Sequence, residues 1–90
     1  MRGQRLLALY MPGRADSSRF GLVVSRKVGN AVHRNRVKRW LREAIRRNRG
    51  GLSGCWDLAI IAHPSAANAG FLALQAEIQD IFARMVRSRS

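Results

Sequence analysis

The sequence predicts a small α+β domain in which three strands and two helices follow one another in the order β-β-α-β-α. Short apolar runs with strand-like alternation, two amphipathic stretches with helical spacing, and turn-forming residues between them all indicate this. With 90 residues the chain has room for one hydrophobic core, so we expect a single domain over 1–90. One antiparallel strand pair joined to a β-α-β crossover would form a small sandwich.

The strands are predicted from short apolar runs that are bounded by turn formers. In the second run, Phe20, Leu22 and Val24 alternate with smaller or polar neighbours, which is typical of a strand. Turn-forming residues fill 11–18, and 64–70 form a loop. The predicted strands cover residues 5–10, 19–25 and 57–62.

The helices are predicted from apolar residues that recur every three to four positions. The first covers 31–48, and Gly50 and Gly51 end it. The second runs from about 71 to 86 and closes the domain. Their apolar faces consist of Val37, Trp40, Leu41, Ala44 and Ile45 in the first helix and of Phe71, Leu74, Ile78, Ile81, Phe82 and Met85 in the second.

The charge of the chain indicates a polyanionic partner. Seventeen Lys and Arg residues oppose five Asp and Glu residues, which gives a net charge of +12 and a pI near 11.9. Nucleic acid is the commonest partner of such a domain, and an anionic membrane surface comes second. Only Lys27 and Lys38 are lysines, and the planar arginine guanidinium suits phosphate and base contacts. The balance therefore favours nucleic acid.

Ten of the 17 basic residues lie between positions 26 and 49, where only Glu43 opposes them. A charged helix face is usually just solvated, but this one has nearly a single sign. Like charges spaced i,i+4 weaken an isolated helix by about 0.2–0.5 kcal/mol per pair, so the helix should gain from a bound polyanion. Opposite the apolar face lie Asn35, Lys38, Arg39, Arg42 and Arg46.

Other classes of protein find little support in the sequence. Cys55 is the one cysteine, so an internal disulfide is excluded and a reducing compartment fits. No apolar run of membrane-spanning length and no secretory signal is present, so we expect a cytoplasmic protein without a membrane partner. His33 and His63 lack further metal ligands nearby, and nothing unites Ser25, His33 and Asp57 as a hydrolase triad. We expect no catalytic residue and no protein-bound metal.

Residues 19–46 resemble the signature of the bacterial ribonuclease P protein subunit. That signature has a Gly-x-x-Val-Ser strand, a basic pair, Gly-x-Ala-Val, Arg-Asn-Arg-x-Lys-Arg and Arg-Glu. Weaker features agree, namely Leu-x-x-Tyr ending at Tyr10 and Asp57 at the start of an apolar strand. The matching positions are Gly21, Val24, Ser25, Arg26, Lys27, Gly29, Ala31, Val32, Arg34, Asn35, Arg36, Lys38, Arg39, Arg42 and Glu43.

The resemblance implies a ribonucleoprotein that removes the 5′ leader of precursor tRNA. Its RNA subunit cleaves with Mg²⁺, and its protein, which needs no obligate protein partner, helps to bind the substrate and the metal. It also implies a ribosomal protein S5 domain 2-like fold with a left-handed β-α-β crossover, and a leader-binding role for Tyr10. The candidate RNA-binding residues are Arg26, Lys27, Asn30, Arg34, Asn35, Arg36, Lys38, Arg39, Arg42 and Arg46.

One departure from the family and two alternatives accompany this interpretation. Family members usually begin with an additional helix that helps form the leader groove, whereas this sequence runs from Met1 directly into the first strand. We therefore expect only the sheet side of that groove here. A structural RNA-binding protein of ribosomal type is the main alternative. A membrane-active basic peptide would need a broader apolar helix face.

Overall fold

In a computed structural model, which describes residues 5–13, 18–52 and 55–89, the elements occur in the predicted order. The predicted boundaries of the first helix are confirmed. The first strand extends two residues beyond its predicted end, to Pro12, which an edge strand tolerates. Of the predicted turn 11–18, residues 14–17 lie outside the described residues. The elements are β1 (Leu6–Pro12), β2 (Arg19–Val24), α1 (Ala31–Asn48), β3 (Trp56–Ala62) and α2 (Phe71–Arg89).

The three strands form one mixed sheet in the order β1-β3-β2. β1 runs antiparallel to β3, with Leu6 opposite Ala62, whereas β2 runs parallel to β3, with Arg19 opposite Asp57. The two strands that are consecutive in sequence therefore lie on opposite edges. This confirms one antiparallel pair and a β-α-β crossover, in which α1 connects β2 to β3. The left-handed sense of the crossover stays a prediction from the resemblance.

The hydrophobic core lies between one face of the sheet and the two helices. Strand alternation brings Trp56, Leu58, Ile60 and Ala62 of β3 to this face. Trp40, which we predicted in the core, is half-buried and packs against the core's edge. The helices contribute Val37, Leu41, Ala44 and Ile45 from α1 and Leu74, Ile78, Ile81, Phe82 and Met85 from α2.

The opposite face of the sheet is not covered by either helix. Leu9, Met11 and Val23 are 54%, 60% and 51% exposed there, and the ion pair between Arg19 and Asp57 crosses the same face. Within the described ranges, neither helix is long and apolar enough to span a membrane. The molecule thus presents an apolar sheet surface and a strongly basic helix surface.

A largely shielded carboxylate attaches α2 to the start of β1. One oxygen of Glu77 accepts hydrogen bonds from the backbone N–H groups of Arg5 at 2.8 Å and Leu6 at 3.0 Å. The Glu77 side chain is only 10% exposed. Leaving these two partly buried N–H groups unpaired would be costly, so this contact fixes where the first strand enters the sheet.

Candidate nucleic-acid interface

The connection between β2 and α1 positions the first basic residues. A single 3-10 turn over Arg26–Val28 follows β2, and Val28 is buried, which leaves Arg26 and Lys27 exposed. Gly29 follows with φ 149°, and a Cβ there would lie 2.9 Å from the Cβ of His33. No side chain fits at that position without movement of the helix start. Glycine thus allows α1 to begin directly after the basic turn.

Asn30 caps the first turn of α1. Its side-chain oxygen accepts a hydrogen bond from the backbone N–H of His33 at 3.1 Å. We predicted Asn30 as an RNA-binding residue, and the structure adds a folding role that its residue type alone could have indicated. An RNA contact by Asn30 stays a prediction.

The predicted polar side of α1 forms one continuous surface, which we call the basic stripe. It consists of five residues that line a shallow groove together with Glu43, on the side of the helix opposite the core. Four of the five are exposed, and Lys38 is half-buried. Within the described residues, Lys38, Arg39 and Arg42 form no ion pair. The basic stripe is Asn35, Lys38, Arg39, Arg42 and Arg46.

Two other predicted residues lie beside this stripe rather than on it. Arg36 is exposed, but it is two positions from Lys38. Because successive helical residues are about 100° apart, Arg36 points to a different side of α1 than Lys38. Arg34 is half-buried, and its Nε is shielded from solvent without a hydrogen-bond partner among the described residues. The Arg-Asn-Arg motif therefore surrounds the start of α1 instead of presenting a single face.

Glu43 modifies the charge at the far end of the stripe. Its carboxylate accepts hydrogen bonds from Arg46 Nε at 3.1 Å and Arg47 Nε at 2.9 Å. The hydrogen bond from Arg46, followed in size of effect by the one from Arg47, lowers the pKa of Glu43 to about 2. The positive charge available to an anion is therefore greatest around Lys38, Arg39 and Arg42.

A second groove lies between β2 and α1, on the flank of the basic stripe. Its apolar surface comes from Phe20, Leu22 and Ile45, while Lys38, Arg42, Arg46 and Arg49 provide its charge. The guanidinium of Arg49 lies over the Phe20 ring, 5.4 Å from the centroid. Arg49 belongs to the basic cluster of residues 26–49 but is not among the predicted RNA-binding residues, because no local pattern relates it to Phe20.

Tyr10 lies at the edge of the core. It is half-buried, and its ring meets that of Trp56 edge-on at a centroid distance of 5.8 Å. Its strand neighbours Leu9 and Met11 lie on the open sheet face, and all three line a groove there with Arg19 and other residues of β2 and β3. A role of Tyr10 in leader binding stays a prediction.

The ion pair of Arg19 with Asp57 is a feature of this groove that sequence analysis missed. Arg19 donates two hydrogen bonds to the carboxylate, each 3.0 Å long. The hydrogen bond from Arg19 lowers the pKa of Asp57. The two residues are 38 positions apart but lie opposite each other because β2 and β3 are paired in parallel.

The strand register excludes a hydrolase triad of Ser25, His33 and Asp57. Asp57 lies opposite Arg19, whereas Ser25 follows Val24, which lies opposite Ala62. At about 3.3 Å per residue along a strand, Ser25 and Asp57 are roughly 20 Å apart. No nucleophile–base–acid arrangement can form from them.

Magnesium prefers clusters of oxygen ligands, so a magnesium site in this chain would require carboxylates that are close together and not already paired. Four of them are engaged: Glu43, Asp57 and Asp80 by arginines, and Glu77 by backbone N–H groups. No group of three or more His, Cys, Asp or Glu residues occurs in the described part of the chain. These residues do not fit a magnesium site.

Comparison with known proteins relates this geometry to one family. The family model for ribonuclease P matches residues 1–86. The ribonuclease P protein component of Desulfosudis oleivorans is 41% identical over 81 residues, which are 90% of this chain and 67% of that protein. The component from Desulforapulum autotrophicum is 39% identical over 82 residues, covering 91% and 70%. The chain belongs to the ribonuclease P protein family.

Solved structures of the family share the fold. The ribonuclease P protein of Thermotoga maritima superposes with a TM-score of 0.83 at 30% identity, covering 93% of this chain and 80% of that one. A Staphylococcus aureus ribonuclease P protein gives a TM-score of 0.80 at 26% identity, with coverage of 94% and 77%. The mixed sheet with two helices is therefore the ribonuclease P protein architecture, as the resemblance in residues 19–46 predicted.

Proposed function

We propose that this chain binds the RNA subunit of ribonuclease P through the basic stripe and its neighbours around the start of α1. The observation that carries the proposal is the exposed, nearly single-sign stripe on α1 in a member of this family. Bound cations release the counterions of an RNA backbone, which favours association. Three further exposed residues belong to the proposed interface: Arg26 and Lys27 on the turn before α1, and Arg36 beside the stripe.

The same charge supports a role in processing precursor tRNA. The RNA subunit and its substrate are both polyanions, and a protein with a net charge of +12 lowers the cost of bringing them together. The open sheet face, with Tyr10 at its edge, is the proposed contact for the 5′ leader. Its exposed Leu9 and Met11 offer apolar surface to unstacked bases.

In this proposal the RNA subunit, with Mg²⁺ that it mainly binds, cleaves the leader, and the protein contributes binding only. The complex works in the cytoplasm and needs no second protein. Two observations support the division of labour: the carboxylates discussed above are engaged by arginines or backbone groups, and the register separates Ser25 from Asp57.

The test is reconstitution with a bacterial ribonuclease P RNA, Mg²⁺ and precursor tRNA at moderate salt. We expect the protein to raise kcat/KM mainly by tightening substrate binding, and the triple variant Lys38→Ala, Arg39→Ala, Arg42→Ala to lose most of this effect. Arg84→Ala is the matched control because Arg84 pairs with Asp80 on α2, away from the stripe.

Equal stimulation by the triple variant and the wild type would contradict the proposal. A protein that binds the RNA tightly but never stimulates cleavage would indicate the ribosomal-type alternative instead. Cleavage by the protein without RNA would show that the chemistry is assigned to the wrong subunit.

A further inference from the structure

We propose that the groove between β2 and α1 binds one unstacked base of the RNA, with the Arg49 guanidinium as the stacking platform. The inference rests on the proposed RNA-binding function and adds a base-binding site to it. The groove encloses about 260 Å³, slightly below the roughly 300–1,000 Å³ of typical small-ligand pockets. That size suits one planar ring better than a larger ligand.

The platform is built in three layers. The ring of Phe82, which is buried, supports the ring of Phe20 at a centroid distance of 6.3 Å. The Arg49 guanidinium lies over Phe20, 5.4 Å from its centroid, and Arg49 is exposed to solvent. Guanidinium planes are surfaces on which unpaired RNA bases stack, and the two rings beneath hold this one in place.

The charges around the groove suit the phosphates on either side of such a base. No carboxylate lines the groove, and within the described residues Lys38, Arg42 and Arg49 form no ion pair. Lys38, Arg42 and Arg46 line both this groove and the basic stripe. An RNA strand that follows the stripe can therefore turn one base sideways into the groove without leaving its phosphate contacts.

An acidic peptide is the competing occupant, because β2 is an edge strand of the described sheet and could pair with another strand. The stack of Arg49 on Phe20 favours RNA, because a base can stack on the guanidinium, whereas a peptide that pairs with β2 through its backbone makes no use of it. The continuity of the groove with the stripe favours it further, since both surfaces then bind one polymer.

The test compares Arg49→Lys with Arg47→Lys in the 90-residue chain. Both variants keep the charge and lose a guanidinium that lies over an aromatic ring, but Arg47 lies over Phe71, at 5.1 Å, outside the groove. We expect Arg49→Lys to weaken binding of ribonuclease P RNA by about 5- to 100-fold, the range for loss of one stacked base. Arg47→Lys should bind within about twofold of the wild type.

A direct readout of stacking uses a single-stranded RNA hexamer that contains 2-aminopurine, whose fluorescence falls when the base stacks. Quenching should occur with the wild type and Arg47→Lys and be lost with Arg49→Lys and Phe20→Leu. Because Arg49→Lys preserves charge, the slope of log K against log salt should stay unchanged while the affinity drops. If Phe20→Leu fails to fold, Arg49→Lys decides alone.

The outcomes separate this inference from the proposed function. If the stripe triple variant loses RNA binding but Arg49→Lys binds and quenches like the wild type, the base site is wrong and the proposed function stands. If the triple variant binds RNA as well as the wild type, the proposed function itself is wrong. An unlabelled glutamate decapeptide that binds more tightly than the hexamer, and depends on Arg49, would assign the groove to a peptide and overturn the inference.

Discussion

The two helices of this protein have nearly equal length but very different net charge. α1 has 18 residues and α2 has 19, and both bury an apolar stripe against the same sheet. α1 carries seven basic residues and one acidic residue, whereas α2 carries three basic and two acidic residues. The apolar stripe thus determines where a helix packs, and the charges on its other side are free to serve binding.

The acidic residues of the two helices also have different partners. On α2, Asp80 pairs with Arg84 one turn away, and Glu77 holds the start of β1. On α1, Glu43 pairs with two neighbouring arginines, and the other cations repel one another. α1 therefore depends on its tertiary packing for stability, and a polyanion bound as proposed above would offset the repulsion between its cations.

The largest expected effects test whether the two helices are equal partners in the core. Leu41→Ala in α1 and Ile78→Ala in α2 should each lower the free energy of unfolding by about 2–5 kcal/mol, because both side chains are 0% exposed. Ile45→Ala, at 6% exposure, should cost a similar amount. Urea denaturation measures this, and Arg39→Ala is the surface control. A cost below about 1 kcal/mol in α1 alone would show that α2 dominates the core.

The next prediction separates the helices by the salt dependence of RNA binding. If the surface of α1 makes about six phosphate contacts, log K should fall with log salt at a slope of about −4 to −5. Lys38→Ala should reduce the slope by about one, and Arg84→Ala on α2 should leave it unchanged. Filter binding or fluorescence anisotropy over a salt series gives the slope. A flat response would remove the functional difference between the helices.

Glu77 provides a test of the structural role of α2. Glu77→Ala should lower the free energy of unfolding by about 1–3 kcal/mol, since it leaves the N–H groups of Arg5 and Leu6 without their acceptor. Glu77→Gln keeps an acceptor oxygen and should cost less. RNA affinity, measured where both variants are folded, should not change. A large loss of affinity would show that α2 also takes part in binding.

The smallest effect concerns Glu43 and pH. Its pKa is lowered to about 2, so the ion pairs stabilise the fold above the ordinary pKa of a glutamate. That contribution decreases as the pH falls toward about 2. An NMR titration of the Glu43 carboxyl carbon should show the low midpoint. A midpoint near the ordinary glutamate value would mean that the pairs do not form in solution.

The same residue limits the charge of α1, which a substitution can test. Glu43→Gln frees Arg46 and Arg47 and should raise RNA affinity about two- to fivefold. Asp80→Asn removes the same charge from α2 and is the control. An equal gain from both variants would show that RNA senses only the net charge of the protein.

Much of the basic surface was predictable because it is local. The stripe follows from helical periodicity alone, since Lys38, Arg42 and Arg46 are spaced four residues apart on one helix. The Asn30 cap was equally local in origin. The groove between β2 and α1 was not predictable, because Phe20 and Arg49 belong to different elements whose contact depends on the docked helix.

The order of the elements, the boundaries of α1 and the sign of its outer face were predictable, because periodicity, capping and charge act between near neighbours. The central place of β3, with the first two strands on opposite edges, is set by the packing of the folded chain. It also placed Glu77 beside Leu6, 71 positions away, and left Leu9 and Met11 on an open face. Such contacts join distant segments, so they depend on the packing of the whole core rather than on any local pattern.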